Sequence, residues 1–368
     1  MTLSIFSALL IFTNTIQAIL PKILKSSEAF GVFIPDTHIN DGRIVRMKKA
    51  YTQMLLIVGN AIIGGYLFWS LLTNPMEEHT VYVGLALLFI VLFISMGLYA
   101  RNHVTLIKLK KKEHWGAGQK ERKVVDLQFR EQLKLLPNIY FIMPILINIG
   151  LWIYGLSQYD SLPNPIPTHW GPNGEADAFA EKSWLSVSAL PFMVLIIQSM
   201  LLFFNSAMRQ SGAKIQVRNK KRSRQQQLAF RKYSSWLLFL VLITVTMLMG
   251  YLQLTIIHAD LMSSSIMMFA TLAFVLIILA SVMFYTIKIG QSGTRIEVEH
   301  QDVETDGVID VDDDRHWKFG LIYVNREDPS LMVEKRFGVG WTLNFGHAGS
   351  WIFLALLLGS IVLVSLIL

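Results

Sequence analysis

Between two long apolar stretches the chain carries Ile166–Ser183, IPTHWGPNGEADAFAEKS, in which side chains able to hold a proton or a charged ligand crowd together: His169, Glu175, Asp177, Glu181 and Lys182, with Asn173 as a neutral partner. An imidazole near carboxylates titrates close to neutral pH and is a common metal ligand. Pro163, Pro165, Pro167 and Pro172 restrict their own backbone and that of the residue before each, and Gly171 and Gly174 permit turns that other residues resist. Trp170 and Phe179 suit a membrane–water interface, where amphipathic and aromatic rings anchor. Two readings stay open. In one, Asp177 and Lys182 pair with neighbours or water, His169 caps a turn and the loop merely joins two helices, since exposed charge pairs contribute little. In the other, the loop is a rigid platform that recognises a peptide, a lipid headgroup or another membrane protein through His169, Trp170, Gly174, Asp177 and Lys182.

Metal and catalytic chemistry are signalled less well. His79, Glu77, Glu78, His258 and Asp260 join His169 as candidate imidazole and carboxylate ligands, but no H-E-x-x-H or comparable pair fixes two histidines for tetrahedral zinc. There is no G-x-S-x-G elbow, P-loop or dinucleotide fingerprint, and no S-x-x-K where an outward active site would stand. The chain has no cysteine, which excludes disulfides and thiolate chemistry. The expectation is no catalytic residue, no metal and no cofactor.

The elements that hold this loop are apolar blocks. Hydrophobic residues make up 53% of the 368 and charged ones only 16%, with a mean hydropathy of +0.45, against about a quarter charged in a soluble domain. Eight blocks are long enough to span a membrane as helices: Met1–Ile19, Thr52–Leu72, Val81–Tyr99, Asn138–Tyr154, Leu185–Phe204, Trp236–Ile257, Met262–Ile287 and Ser350–Leu368. The first lacks a preceding basic run and a small-residue cleavage signal, so an uncleaved helix is expected. The connecting segments 20–51, 100–137, 205–235 and 288–349 hold 6, 10, 9 and 7 Lys or Arg, together 32 of the chain's 33; the other is Lys182. By the positive-inside rule these four segments face the cytoplasm, while both termini and the Ile166–Ser183 loop face outward. The net charge of +7, and the NKKRSR run Asn219–Arg224 with it, therefore reads as orientation and acidic-lipid attraction rather than nucleic-acid binding. Within the spans, Asn60, Asn148 and Gln198 are placed to hydrogen-bond between helices, and Pro144 to free a carbonyl and kink its helix. No Asp, Glu, Lys or Arg sits at a span centre, where ion-coupled transporters commonly keep one.

Among the inward segments, Asn40-Asp41-Gly42 signals a turn, with GRIVRMKKAY beginning a helix that runs into the second span. Val32–Pro35 read either as interface packing or as plain loop, and Arg101–Lys134 as partly helical and interfacial. The last inward segment, Gly290–His347, changes grammar. TRIEVEH (Thr294–His300) alternates as a strand, the acidic run Asp306–Asp314 reads as a solvated loop lacking calcium-loop spacing, and FGLIYVN and LMVEKRFGVGWTLNFG read as short strands around an Asp328-Pro329 turn. Here Trp317, Tyr323, Asn325, Lys335 and Arg336 are the candidates for a cytosolic partner, with lipid contact as the alternative for Lys335 and Arg336.

Pro167, His169 and Trp170, followed by Gly174, Asp177, Phe179 and Lys182, resemble the P-x-H-aromatic…G-x-x-D…K signature of a bacterial membrane domain of unknown biochemical activity. That domain also occurs in immunity proteins that protect Bacillus-type cells from their own secreted killing-factor toxin. The Trp317–Asn344 stretch resembles a second uncharacterised bacterial domain through Trp317, Gly320, Tyr323, Asn325, Asp328-Pro329, Val333, Lys335-Arg336, Gly338, Gly340, Thr342 and Asn344. The resemblance implies binding of, or shielding against, a membrane-active peptide toxin outside, and in some members signalling through a transcriptional repressor held at the membrane. The expected fold is an all-α polytopic membrane protein with about eight transmembrane helices and a small β-rich cytosolic appendage. Its divisions are 1–137, 138–206 with the outward loop 157–184, 207–287, the appendage 288–347 and the last helix 348–368. The expected function is a non-enzymatic, multi-pass cell-membrane protein of envelope protection or signalling, with phospholipid, a secreted toxin and a regulatory protein as partners. The alternatives are a transporter or exporter, and a membrane metallopeptidase.

Overall fold

The computed structural model describes residues 2–122, 124, 126, 128–171, 174–217, 219–298 and 308–367. Its helices are α1 (Thr2–Ile23), α2 (Gly42–Thr73), α3 (Glu77–Lys112), α4 (Asn138–Ser157), α5 (Trp184–Gln210), α6 (Lys220–Ile257), α7 (Ser264–Lys288) and α8 (Ala348–Ile367). The strands are β1 (Glu28–Ala29), β2 (Val32–Phe33), β3 (Lys120–Arg122), β4 (Ile166–Trp170), β5 (Ala176–Ala180), β6 (Val308–Asp310), β7 (Trp317–Lys318), β8 (Ile322–Tyr323), β9 (Met332–Glu334) and β10 (Trp341–Leu343). Helices α1 to α7 are each long and apolar enough to cross a membrane, whereas the apolar stretch of α8 within the described residues, Ala348–Leu363, is shorter. Seven such helices therefore stand where eight were expected, with α8 as a shorter eighth.

The chain folds as two compact units, each drawn from separated stretches: Met1–Gln132, Gly212–Phe230 and Met283–His347 in the first, Leu133–Ser211, Arg231–Val282 and Ala348–Leu368 in the second. Linear division at the loops does not anticipate this, because segments distant in sequence share one core. In the first unit α1 packs on both α2 and α3. Small residues permit close approach: Gly59 faces Asn14 and Gly84 faces Phe6, with no room at either glycine for a side chain. Helix α2 starts where expected, capped by the Asp41 carboxylate accepting from the Arg43 N–H at 2.8 Å, and stops at Asn74 in a left-handed turn.

The β-rich part of this unit is larger than an appendage of residues 288–347. Residues 28–33 form a hairpin closed by Phe30-Gly31, and residues 317–323 form another closed at Phe319-Gly320, all four turn residues having positive φ. The two turns meet: a Cβ on Gly31 would lie 2.7 Å from Gly320 Cα, and the reverse holds equally. Helix α3 ties both down, the Tyr99 hydroxyl donating to Phe319 O at 2.8 Å and the His103 ring bonding Phe30 O at 2.7 Å. A third Phe-Gly pair, Phe337-Gly338, lies between β9 and β10, and Phe337 packs on Phe30, Tyr51 and Tyr99. Val32–Pro35 thus belong to a folded core, with Val32 and Ile34 fully buried. The TRIEVEH strand is not formed: Thr294–Val298 is turn and coil after a helical turn at Gln291–Gly293, and Glu299–His300 lie outside the described residues. Of the Arg101–Lys134 stretch, α3 takes up the residues to Lys112; Val125 and Leu127 of its apolar set lie outside the described residues.

The second unit is a helical bundle bearing one hairpin. Asn148 Nδ2 donates to Pro191 O at 2.9 Å, and Gln198 Nε2 donates to Pro144 O at 3.1 Å and to Thr246 Oγ1 at 2.9 Å, so two of the three polar span residues bridge helices as expected. Asn60, in the first unit, is exposed on α2. Asn205 binds Leu136 O, Asn138 and Ser235. Arg231, buried at the end of α5, donates to Met208 O at 2.6 Å and Ser211 O at 3.0 Å, where a cation satisfies terminal carbonyls and the helix dipole.

Candidate functional site

Strands β4 and β5 form an antiparallel hairpin over the ends of α4 and α5. Ile166 pairs with Ala180 and Pro167 with Phe179, then the register shifts so that His169 opposes Ala178 and Trp170 opposes Ala176. An extra residue in one strand re-aims its side chains. Here the shift brings His169 Nδ1 to Asp177 Oδ1 at 2.5 Å, with the side chains 68% and 51% exposed. An exposed, mutually oriented imidazole–carboxylate pair presents ring-nitrogen and carboxylate atoms side by side, and Phe179 on the same hairpin adds an exposed ring.

The rest of the loop fixes this pair. Gly174 has φ +81°, and a Cβ there would lie 2.3 Å from Ser264 O at the start of α7. Only glycine allows that close approach. Lys182, expected as a recognition residue, turns its ammonium inward: Nζ donates to the carbonyls of Leu162 at 3.0 Å and of Tyr159 and Asp160 at 3.4 Å, over the Tyr159 ring. Its backbone N–H meets Asn164 Oδ1, and Ser183 caps α5 reciprocally with Ser186. Of the five expected recognition residues, His169 and Asp177 face out, Gly174 and Lys182 hold the loop, and Trp170 is half-buried. Pro172 and Asn173 lie outside the described residues. Among the described residues no three His, Asp or Glu side chains are placed to hold a metal ion; His258 is bonded to the Tyr154 hydroxyl at 2.8 Å.

In the first unit three of the Trp317–Asn344 candidates, Trp317, Tyr323 and Arg336, are buried. Arg336 is buried and ion-paired to both Asp313 and Asp314, and it donates to Gly31 O. The lipid or partner contact expected of Arg336 is therefore replaced by an internal role. Burial alone would raise both carboxyl groups, but Lys214 and Arg336 at Asp313, and Arg336 and Lys110 at Asp314, hold them below the usual carboxylate range. Asp314 also accepts from the Phe33 N–H at 3.0 Å, and Asp310 from the Val217 N–H at 2.8 Å. The acidic run is thus ion-paired rather than solvated over Asp312–Asp314, its charges answered by Lys110, Lys214 and Arg336; Asp306 lies outside the described residues. Trp317 and Tyr323 are buried against one another, burial pushing the Tyr323 phenol up. Asn325 is joined to the buried Asn344 at 2.8 and 3.0 Å. Of the five, Lys335 is exposed.

Sequence reasoning missed a second buried cluster. Lys25 pairs with Glu334 at 3.3 Å, and Glu334 also accepts from Gln227 and Ser292. Gln291 accepts from the Lys25 N–H and donates to Glu28. Burial is the largest single influence and opposes the charge on Lys25, but Glu334, Glu28 and Asp310 together outweigh it and raise its pKa. The available signal was the recurring Phe-Gly pair with a glutamate shortly before two of its copies, Glu28 and Glu334.

Comparison with known proteins finds two short matches. Residues 141–195, which include the hairpin, match a domain of unknown function (DUF1648), and residues 326–351 match a family of unknown function (DUF5808). An uncharacterized protein of Archaeoglobus fulgidus is 40% identical over 52 residues, 13% of this chain and 28% of that protein. The chain thus spans little more than a quarter of that relative. No solved structure matches.

Proposed function

We propose that this chain is a non-enzymatic, multi-pass membrane protein that recognises an extracytoplasmic ligand on the β4–β5 hairpin and acts in envelope protection or signalling. The observation that carries this reading is the exposed His169–Asp177 pair on a bulged hairpin held from behind by Gly174 and Lys182. Groups fixed before binding lose less entropy when a ligand arrives. The distribution of Lys and Arg supports an outward hairpin. The buried networks around Arg336 and Glu334 lie in segments whose Lys and Arg content favours the cytoplasm, where the proposed regulatory partner would be held.

The test is survival of a sensitive bacterial strain expressing the full chain, challenged with secreted peptide toxins and cell-wall antibiotics. The expected result is protection by the wild type, lost in an equally expressed His169→Ala/Asp177→Ala variant. Lys182→Ala, which leaves the exposed pair but frees the loop behind it, should weaken protection in proportion to lost amide protection over Ile166–Ala180. A wild type no better than empty vector, or a double variant as protective as the wild type, would overturn the reading.

A further inference from the structure

Between the hairpin and the helices beneath it lies a cavity of about 240 Å³ within the second unit, lined on the hairpin side by Ile166, His169 and Trp170. Its walls are mainly aliphatic, formed by Leu162, Ile166, Val187, Leu190, Met193 and Ile257. Gly155 widens it by having no side chain; a Cβ there would make only ordinary contacts with Ile257 and Gln253. Trp170 also lines it, and its indole Nε1 is buried with no acceptor among the described residues. A buried donor left unpaired is costly. Concave, apolar walls with a small number of polar groups are the usual make-up of a small-molecule site. An apolar cavity of about 150 Å³ takes up benzene, so this one admits a somewhat larger body.

We propose that the cavity is a binding site for a small amphiphile: an aliphatic chain of medium length bearing one hydrogen-bond acceptor, an ester or carboxyl oxygen, which receives the Trp170 N–H. Such a group has two sources, the ester-linked chains of the surrounding phospholipid or a free acyl compound. The site shares His169 with the exposed pair, but occupation by an acyl chain does not depend on the recognition role proposed for that pair.

The experiment places the full chain in lipid nanodiscs, with ¹³C-labelled methionine methyl groups and the Met193 signal assigned by Met193→Leu. In discs of ether-linked phospholipid, which has no ester carbonyl, methyl octanoate should move the Met193 signal saturably. Half-saturation should come at a bilayer fraction about threefold to tenfold lower than for decane, the preference expected of one added hydrogen bond. Trp170→Phe should remove that preference and keep the decane response; Gly155→Leu, which fills the space, should remove both. Unfolding temperatures of the variants guard against misfolding, and the wild-type comparison needs no variant. In discs of ester-linked phospholipid, a Met193 signal already at its bound position identifies lipid as the source, and one that still titrates identifies a free acyl compound. No saturable movement in ether-linked discs, equal response to ester and alkane, or a preference that survives Trp170→Phe would overturn the proposal.

Discussion

At the scale of single residues, the largest departure from expectation is Arg336. A Lys-Arg pair close to an apolar helix invites a headgroup reading, yet the two neighbours part: Lys335 is exposed while Arg336 sits between Asp313 and Asp314 under the Trp317 ring. Alternation along a strand end is enough to send adjacent side chains to opposite faces. Removing one member of a buried pair leaves the other charge uncompensated, which typically costs about 3–5 kcal/mol. Arg336→Met should therefore lower the opening free energy of β7 to β10 by about that much, read by hydrogen exchange of the full chain in nanodiscs. A change within about 0.5 kcal/mol, the usual effect of a surface substitution, would mean that the ion pairs hold nothing together. The same contrast explains why His169 and Asp177 were legible as candidates and Lys182's role was not. Residue type and spacing suggest which groups can pair, but a lysine that folds back on carbonyls has the same sequence as one that reaches out.

At the scale of elements, hydrophobic blocks marked the helices well in their middles and poorly at their ends. Helix α4 begins at Asn138 as read from hydropathy, but α6 begins at Lys220 rather than at Trp236, and α3 runs on to Lys112. Basic residues are good helix formers, so a helix continues past its apolar stretch where a hydropathy reading stops. The strands of the first unit were harder still, being two or three residues long and paired either in short hairpins that meet others far away in the chain or, for β3 and β6, in parallel between residues 120–122 and 308–310. What the sequence did carry is the Phe-Gly pair at 30–31, 319–320, 337–338 and 345–346. Gly31 and Gly320 explain it, since both have positive φ and each turn leaves no space for a Cβ on the other. Alanine at either position pays the left-handed backbone penalty and overlaps backbone atoms of the facing turn. Gly31→Ala or Gly320→Ala should each destabilise the first unit by about 2–4 kcal/mol. The double variant should cost less than the sum because the two share one contact. Strict additivity in the same hydrogen-exchange measurement would mean that the turns do not depend on each other.

At the scale of the whole molecule, the two units are held by different physics, and pH separates them. The polar contacts described within the second unit are largely neutral, Asn148, Gln198, Asn205 and Ser235 among them, with Arg231 bonded to carbonyls. The first unit relies on carboxylates whose pKa is lowered in the folded chain: Asp313 and Asp314, together with Asp41 and Glu113, each held at about 2 by hydrogen bonds from Arg43. A carboxyl group with a lowered folded pKa stabilises the fold above its unfolded value, and that contribution is lost as pH falls through the folded one. Asp310 works in the opposite direction, burial raising its pKa, but it stands against four groups shifted down. Acidification from pH 5 toward pH 2 should therefore open the first unit while the second keeps its protection. Hydrogen exchange in nanodiscs, corrected for the intrinsic pH dependence of amide exchange, should show β7 to β10 losing protection in that window and α4 and α5 retaining it. Loss of protection in both units at one pH would mean that they unfold as a single cooperative body, and an unchanged first unit at pH 2 would mean that its ion pairs are not what stabilises it.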